Sequence, residues 1–158
     1  MSLKTLIRAA GLEDLDELVP LFDAYRQFYE EPSDLRLAEV FLRDRLVRQE
    51  SKILLALDAT GHAVGFCQLY PSFCSLLAAP IEVLYDLFVS PQGRRCGAGR
   101  ALLQAAEDFA RARGAARLDL TTAKTNLRAQ ALYESEGWQR DEIFYTYNKH
   151  LGNGTVKT

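Results

Sequence analysis

The sequence predicts an α/β (α+β) domain with a mixed, mostly antiparallel central sheet of about seven strands flanked by about four helices. Apolar residues recur at helical spacing in some segments and alternate at strand spacing in others. The front half of the chain contains three strands joined by short turns, and the back half alternates strand and helix. The 158 residues, 48% of them hydrophobic, suit one domain. We expect this domain to span residues 1–151, with 152–158 as a short flexible tail.

The front half is predicted to begin with a weakly alternating strand, Leu3 to Ala9. Apolar residues at helical spacing predict a helix from Leu12 to about Tyr29. A second helix follows the break at Pro32, with Ser33 or Asp34 as its N-cap. A three-stranded meander comes next, with an irregular stretch from Ser72 to Ala79 before its last member: Ile53 to Leu57, Val64 to Tyr70 and Ile81 to Val89.

The back half contains a strand–helix–strand unit, which predicts a right-handed parallel crossover. Its central helix ends before Gly114, a residue suited to the C′ position. The predicted elements, in order, are helix Ala98 to Arg113, strand Ala116 to Thr121, helix Asn126 to Glu136, and final strands Trp138 to Arg140 and Ile143 to Tyr147.

Composition excludes several classes of function. The formal net charge of −2 argues against general nucleic-acid binding, which needs a clustered basic surface. Three cysteines do not suggest a disulfide framework, and the two histidines have no metal-ligand spacing with them, so we expect no metal. The N-terminus lacks the apolar stretch of a signal peptide, and no apolar run approaches membrane-spanning length. We therefore expect a cytoplasmic protein with no membrane partner.

The turn after Val89 carries the most informative motif. Gly97 and Gly99 open a helix directly after a buried strand, and Arg94, Arg95 and Arg100 surround them. Free N–H groups at a helix start, glycines and nearby cations together favour an anion such as a pyrophosphate. A glycine-rich turn without a ligand is the alternative interpretation. Neither G-x-G-x-x-G nor a Walker pattern is present.

Two motifs resemble those of one enzyme superfamily. Arg94-x-x-Gly97-x-Gly99 is similar to the Q/R-x-x-G-x-G/A motif of the GNAT superfamily of N-acetyltransferases. The segment from Asn126 to Trp138 is similar to the N-x-x-A-x-x-L-Y-x-x-x-G-[FW] pattern of the same superfamily. More narrowly, Gly65 to Ser75, Asp86 to Val89 and Tyr25 to Tyr29 resemble the histone- and polyamine-acetyltransferase-like branch.

The resemblance implies acetyl-CoA as cofactor. It also implies that Tyr133 is the general acid that protonates the departing thiolate, although an aromatic packing against Trp138 is the alternative. Asn126 is expected to cap its helix and also to contact CoA. The implied cofactor-binding residues are Leu87, Phe88, Val89, Arg94, Arg95, Cys96, Gly97, Ala98, Gly99, Arg100, Asn126 and Tyr133.

The acceptor amine must lose a proton before it attacks the thioester. Asp86, Glu82 and Tyr85 are candidates for this step, and strand alternation places Glu82 and Asp86 on one face unless a bulge intervenes. A structural hydrogen bond is the alternative role for Asp86. Related diamine acetyltransferases have an acidic pair at positions 85 and 86, and Tyr85 departs from it. The expected acceptor-site residues are Tyr25, Tyr29, Tyr70, Tyr85 and Asp86.

The expected reaction is acetyl transfer to a primary amine, with a small molecule such as a polyamine as the first choice of acceptor. Acetylation of protein lysines or N-termini, and a CoA-binding module without catalysis, remain as alternatives. The aromatic segment Phe144 to Tyr147 predicts a homodimer in which this strand pairs or exchanges across a twofold axis, since pairing removes an exposed edge.

Overall fold

The computed structural model describes residues 5–152. It contains one five-stranded sheet in the order β1-β2-β3-β4-β5. Strands β1 to β4 are antiparallel neighbours, and β5 is parallel to β4. The strands are β1 (Leu6–Ala9), β2 (Lys52–Leu57), β3 (Ala63–Cys74), β4 (Ala79–Val89) and β5 (Leu118–Asp119).

Four α-helices accompany the sheet: α1 (Leu15–Phe28), α2 (Leu35–Val47), α3 (Ala98–Ala112) and α4 (Leu127–Ser135). A short 3-10 turn, Leu12–Asp14, precedes α1, and another, Pro91–Gly93, follows β4. Asp34 is the N-cap of α2, and its side chain accepts a hydrogen bond from the N–H of Leu37 at 2.9 Å. Gly114 has φ +74° after α3, as expected for a C′ residue.

Apolar side chains on both faces of the sheet form two core clusters. On one face, Ile53, Leu55 and Phe66 pack against α1 and α2. On the other, Leu54, Cys67 and α3 form the second cluster, against which α4 also packs. The alternation of neighbouring β2 residues between the clusters is the period-2 pattern of a strand buried on both sides. The sheet therefore lies between two helical layers, as predicted for an α/β domain.

The number of strands differs from the predicted seven. Residues 138–150 form no strand, so the predicted strands Trp138 to Arg140 and Ile143 to Tyr147 are absent from the described chain. A strand requires a neighbour with free N–H and C=O groups, and the adjacent edge strand β5 is only two residues long. In the tail predicted over 152–158, residues 153–158 lie outside the described residues.

The hairpin between β3 and β4 is longer than predicted. The stretch Ser72 to Ala79 was expected to be irregular, but pairing continues to Cys74 opposite Ala79. The backbone hydrogen bonds of this ladder outweigh the turn-forming character of the local sequence.

All three cysteines of the chain are free, and Cys67 is fully buried.

Candidate active site

Strands β4 and β5 are paired at only two positions. Glu82 lies opposite Leu118, and Val83 lies opposite Asp119. Strand β4 continues to Val89, whereas β5 ends at Asp119. The second half of β4 therefore has β3 on one side and an opening on the side where β5 has ended.

A cavity of about 170 Å³ lies at this opening. Helix α1, strand β4, the segment after β5 and helix α4 all contribute to its wall. The lining residues are Tyr25, Tyr29, Leu84, Tyr85, Leu87, Thr121, Thr122, Ala123 and Tyr133. The fold thus brings Tyr133, expected from one motif, to the same cavity as three of the tyrosines expected from the acceptor side.

A β-bulge at Tyr85 sets the direction of the side chains in β4. Gln68 lies opposite Asp86 and the next residue, Leu69, lies opposite Leu84, so Tyr85 has no partner on β3. Leu84 belongs to the core cluster on the α3 side, whereas Asp86 is hydrogen-bonded to Gln68. A bulge of this kind interrupts the alternation along the strand.

The bulge separates the two candidate carboxylates of β4. Glu82 is ion-paired with Arg113 at the end of α3, with 3.1 Å between the Glu82 Oε1 and Arg113 Nε atoms. Asp86 faces α1 instead, where it accepts a hydrogen bond from Tyr25. Alternation was expected to place Glu82 and Asp86 on one face unless a bulge intervened, and this bulge puts them on different faces. Glu82 is not placed to act with Asp86.

Asp86 is a buried carboxylate with two neutral hydrogen-bond donors. Its side chain accepts from Nε2 of Gln68 at 2.8 Å and from the Tyr25 hydroxyl, and only 5% of the residue is exposed. Burial raises the pKa of Asp86 above its ordinary value, and these two hydrogen bonds oppose the rise. A carboxylate with a raised pKa is a better proton acceptor near neutral pH.

The four expected acceptor-site tyrosines form two aromatic pairs around Asp86. The rings of Tyr25 and Tyr29 lie 5.2 Å apart, and those of Tyr70 and Tyr85 lie 5.4 Å apart, measured between centroids. Burial, followed by the charge of Asp86, raises the pKa of Tyr25, Tyr29 and Tyr70. All three phenols are therefore protonated at neutral pH.

Tyr133 presents a protonated phenol to the cavity. Burial raises the pKa of Tyr133 to about 12, and a hydrogen bond with Thr122 opposes the rise. The Tyr133 ring also lies 6.1 Å from that of Trp138, centroid to centroid. Packing against Trp138 and a proton-donating hydroxyl are thus compatible in one side chain.

The start of α3 has the geometry expected for an anion site. Gly97 caps the helix with φ +78°, a value that favours glycine, and a Cβ there would have no neighbour within 4 Å. The first intrahelical hydrogen bond runs from the N–H of Ala101 to the carbonyl of Gly97. The N–H groups of residues 98–100, in the first turn of the helix, therefore have no intrahelical partner.

Gly99 serves packing at this helix start. A Cβ there would lie 3.3 Å from Cδ2 of Leu132 on α4, tighter than ordinary van der Waals contact. Its small size therefore lets α3 and α4 approach each other beside the cavity.

The charges around this turn are already partly engaged. Arg100 forms an ion pair with Glu136 at the end of α4, and its second guanidinium nitrogen lies 3.2 Å from Oγ of Ser135. Nε of Arg94 donates to the carbonyl of Val89 at 3.2 Å. The Arg100 side chain therefore links two helices. Its backbone N–H is then the group that faces the turn.

Two remaining predicted residues have local structural roles. Asn126 is the N-cap of α4, and its side chain accepts from the N–H of Ala129 at 3.2 Å. The Cys96 thiol donates to the carbonyl of Gly93 at 2.6 Å. Both contacts hold the segments on either side of the opening, and neither excludes a ligand contact through backbone atoms.

Sequence reasoning missed Gln68, Ser51 and Thr122. Gln68 is fully buried in β3 and bonds to Asp86, and Ser51 in turn bonds to Gln68. The available signal was an amide among apolar residues of a central strand, since buried polar groups need partners. For Thr122 the sequence offers only a position as a signal, two residues after Leu120 in the segment that ends the crossover.

Residues 5–152 contain no group of three or more His, Cys, Asp or Glu side chains that could hold a metal ion. Within the same range, every helix is too short or too polar to cross a bilayer.

An opened sheet beside a glycine-capped helix start, with a phenol at the opening, matches the architecture of acyl-CoA-dependent acyltransferases. Residues 16–138 match the family described as "Acetyltransferase (GNAT) family". The chain therefore belongs to the GNAT family of acetyltransferases, and it is an N-acetyltransferase of the acyl-CoA-dependent class.

Individual relatives agree with this assignment. The "Uncharacterized N-acetyltransferase YhfO" of Bacillus subtilis (strain 168) is 46% identical over 141 residues, which cover 89% of this chain and 94% of the relative. A "Probable acetyltransferase" of Haemophilus influenzae is 31% identical and covers 80% of this chain and 84% of its own length. A crystal structure of "a probable acetyltransferase" has a TM-score of 0.88 at 41% identity, over 94% of this chain and 99% of that one.

Proposed function

We propose that this protein transfers the acetyl group of acetyl-CoA directly to a primary amine of a small molecule. The observation that carries the proposal is the cavity where β4 and β5 part. It brings the Tyr133 phenol together with Tyr25, Tyr29 and Tyr85, and Tyr25 connects it to the buried carboxylate of Asp86. A proton donor thus lines the opening, and a proton acceptor lies next to one of the residues that line it.

GNAT acetyltransferases use acetyl-CoA, and the residues at the opening fit it. The start of α3 offers N–H groups of residues 98–100 and open space above Gly97, which suit a pyrophosphate. The backbone of Leu87, Phe88 and Val89 borders the parted edge of β4, where an amide-bearing arm can pair with it. We assign the remaining contacts to Arg94, Arg95, Cys96, Asn126 and Tyr133. When bound, the cofactor supplies the acetyl group as a thioester.

Asp86 binds the acceptor amine and takes its proton, directly or through water. Its raised pKa brings it toward the range in which a carboxylate can exchange a proton with an amine at neutral pH. The surrounding phenols of Tyr25, Tyr70 and Tyr85 present aromatic faces, which attract cations. A cationic acceptor therefore meets one negative charge within an otherwise neutral wall.

Tyr133 donates the proton of its hydroxyl toward the departing sulfur. Because its pKa is near 12, the phenol holds this proton throughout the neutral range. Tyr133 lines the cavity together with Tyr25 and Tyr85, whereas Asp86 is reached through its hydrogen bond with Tyr25. The phenol and the carboxylate are therefore separate groups, one for the departing sulfur and one for the amine.

A small acceptor of the polyamine-like kind is our choice, in line with the resemblance to the histone- and polyamine-acetyltransferase-like branch. Two more distant relatives have names that specify small amines: "D-amino-acid N-acetyltransferase HPA3" of Saccharomyces cerevisiae, 30% identical over 60% of this chain, and "Aminoglycoside N(6')-acetyltransferase type 1" of Klebsiella aerogenes, 31% identical over 62%. Nucleic acid and membranes have no place in this reaction. The three free cysteines favour action in the reducing cytoplasm.

The test has two stages. Acetyl-CoA should raise the melting temperature, because a ligand that binds the native state stabilises it by mass action. A panel of polyamines, amino acids, aminoglycosides and lysine peptides should then release free CoA thiol with the small amines. Activity on peptides alone would indicate protein acetylation, and a thermal shift without turnover would indicate a CoA-binding module.

We also propose that the enzyme is a homodimer formed through its C-terminal segment. Five large apolar residues there are 71–91% exposed: Ile143, Phe144, Tyr145, Tyr147 and Leu151. A contiguous apolar segment of this size typically marks an interaction site. Pairing or exchange of this strand with a second copy covers the segment and supplies a strand partner, which it does not have among residues 5–152.

A further inference from the structure

A line of hydrogen bonds crosses the interior from Ser51, the residue before β2, through β3 to β4. Oγ of Ser51 donates to Oε1 of Gln68 at 2.7 Å, and Nε2 of Gln68 donates to Oδ2 of Asp86 at 2.8 Å. Gln68 is entirely inaccessible to solvent. Both polar ends of its amide therefore have a partner within the protein, and the inner partner is the carboxylate of the site.

The fold alone does not require an amide at this position. Phe66, two residues earlier on the same face of β3, is apolar and fully buried, and an apolar side chain could fill the space of Gln68 as well. Burial of an amide costs about 1–3 kcal/mol unless it is hydrogen-bonded. What an apolar residue could not do is contact Asp86, which lies directly opposite in the β3–β4 register.

The direction of the bonds follows from the charge of Asp86. An ionised carboxylate only accepts hydrogen bonds, so the NH₂ end of Gln68 must face it. The carbonyl end of the amide then faces Ser51, whose hydroxyl must donate. Asp86 thus sets the orientation of the amide, and Ser51 anchors the carbonyl end in that orientation.

We infer that Gln68 is a positioning residue, which holds one oxygen of Asp86 in place and keeps the carboxylate ionised, while Ser51 holds the amide of Gln68. The inference rests on the proposed role of Asp86 as the amine-binding proton acceptor. Gln68 itself acts only through Asp86.

The other groups around Asp86 make this contact important. The charge of Asp86 acts on Tyr25 of α1, on Tyr29 at the C-terminal end of that helix and on Tyr70 of β3, and it also reaches Cys67, which lies on the opposite face of the sheet. Arg45 of α2 acts on Tyr70 and is ion-paired with Glu50 at 3.3 Å. The contacts that lower the pKa of Asp86 are therefore hydrogen bonds, from Gln68 and Tyr25, and neither is a cation.

The experiment compares Gln68→Met with Leu69→Met. Both replace a fully buried residue of β3 by a side chain of similar length, but Leu69 faces the opposite core cluster. The titration midpoint of Asp86 is followed by NMR of carboxyl-labelled aspartate, with Asp86→Asn used to assign the signal. This readout needs neither cofactor nor acceptor.

Loss of the Gln68 donor should raise the Asp86 midpoint by about one to two pH units, and the acidic limb of the kcat/KM profile should move with it. Leu69→Met should leave both unchanged. Ser51→Ala keeps the core intact and should give a smaller shift in the same direction, which preserves the test if Gln68→Met folds poorly.

Two outcomes distinguish this inference from the proposed function. An Asp86 midpoint that stays at the wild-type value in Ser51→Ala and in folded Gln68→Met overturns the role of Gln68, even if acetyl transfer is observed. A raised midpoint in a protein that acetylates no amine supports the contact while refuting the reaction.

Discussion

At the scale of single residues, the Tyr133 hydroxyl can be removed without disturbing the ring. Tyr133→Phe keeps the contact with Trp138 but eliminates the proton donor. We expect kcat to fall by about 10²- to 10⁴-fold, the usual contribution of general acid–base catalysis, with little change in melting temperature. Steady-state kinetics and thermal denaturation on the same preparation measure both effects. A kcat within twofold of wild type would refute the general-acid role.

The buried carboxylate of Asp86 should lower the stability of the folded protein at a pH at which it is ionised. Burial raises its pKa in the folded state, so folding is favoured while it is protonated and loses that advantage as pH rises through the folded pKa. Asp86→Asn should therefore unfold at higher denaturant concentration than wild type at pH 8. The difference should disappear below the ordinary pKa of 3.8. Each unit of raised pKa corresponds to about 1.4 kcal/mol.

Asp23 provides a control of opposite sign. Burial alone would raise its pKa, but hydrogen bonds from Ser33, the N–H of Asp34 and Gln27 hold it below the ordinary value. Its contribution to stability is present above the unfolded pKa and is lost as pH falls through the folded pKa. Asp23→Asn should thus destabilise the protein at pH 8 and lose this effect in acid. If both variants shifted stability in the same direction, the account of Asp86 would fail.

Individual site residues differed in how far sequence could locate them. Tyr133 could be predicted from the sequence because its motif fixes its place on a helix. In the structure it lines the same cavity as Tyr25. Gln68 and Ser51 could not be predicted, because their role depends on a register between β2, β3 and β4 that local patterns do not contain. Whether Glu82 faces the same side as Asp86 depended on a bulge for a similar reason, since one inserted residue reverses strand alternation and local patterns do not show where it occurs.

At the scale of elements, the start of α3 depends on Gly97. Gly97→Ala adds no steric clash but places a Cβ on a residue with φ +78°, which costs about 1–2 kcal/mol. Stability should fall by about that amount, and acetyl-CoA should bind more weakly because the N–H groups after the cap shift. Denaturation and calorimetric titration measure the two effects.

Gly61→Ala is the matched control for this prediction. Gly61 lies in the β2–β3 turn with φ +86° and also has no atom within 4 Å of an added Cβ. It should show a similar loss of stability with unchanged cofactor affinity. Equal weakening of acetyl-CoA binding in both variants would mean that Gly97→Ala acts through a general loss of stability and not through the N–H groups at the start of α3.

The crossover unit was predictable as an element, whereas its last strand was not. Helix α3 and its Gly114 stop were expected from periodicity and glycine position, and the structure confirms both. Strand β5 was predicted over Ala116 to Thr121 but spans only Leu118–Asp119. Its shortness follows from the departure of β4, which removes the hydrogen-bonding partner, and apolar content alone does not reveal where two strands part.

At the scale of the whole molecule, the exposed C-terminal segment predicts the assembly. Light scattering should give a mass of twice 17.7 kDa. The double variant Ile143→Lys and Tyr145→Lys should shift this mass toward the monomer, because two charges at 82% and 89% exposed positions cannot be buried in an apolar interface. The same double change leaves the described core untouched. A monomeric wild type at tens of micromolar would rule out the proposed dimer.

The sequence-based prediction of the whole molecule was accurate for the layers and inaccurate for the strand count. Helices on both faces of a mixed sheet follow from local periodicity, and all four helices are present among residues 5–152. The two missing strands, Trp138 to Arg140 and Ile143 to Tyr147, have strand-forming composition but are paired with no strand among residues 5–152. Strand formation depends on a partner, which one chain's sequence does not specify.

The bulge at Tyr85 also affects how this enzyme can evolve. Tyr85 is 66% exposed and has no pairing partner on β3, so its replacement disturbs neither the core nor the ladder. Asp86, the adjacent residue, is buried and held by two hydrogen bonds. Selection for a new amine can therefore act on position 85 at little cost to folding while the neighbouring residue, the proposed proton acceptor, is retained. An adaptable and a constrained position thus stand side by side on one strand.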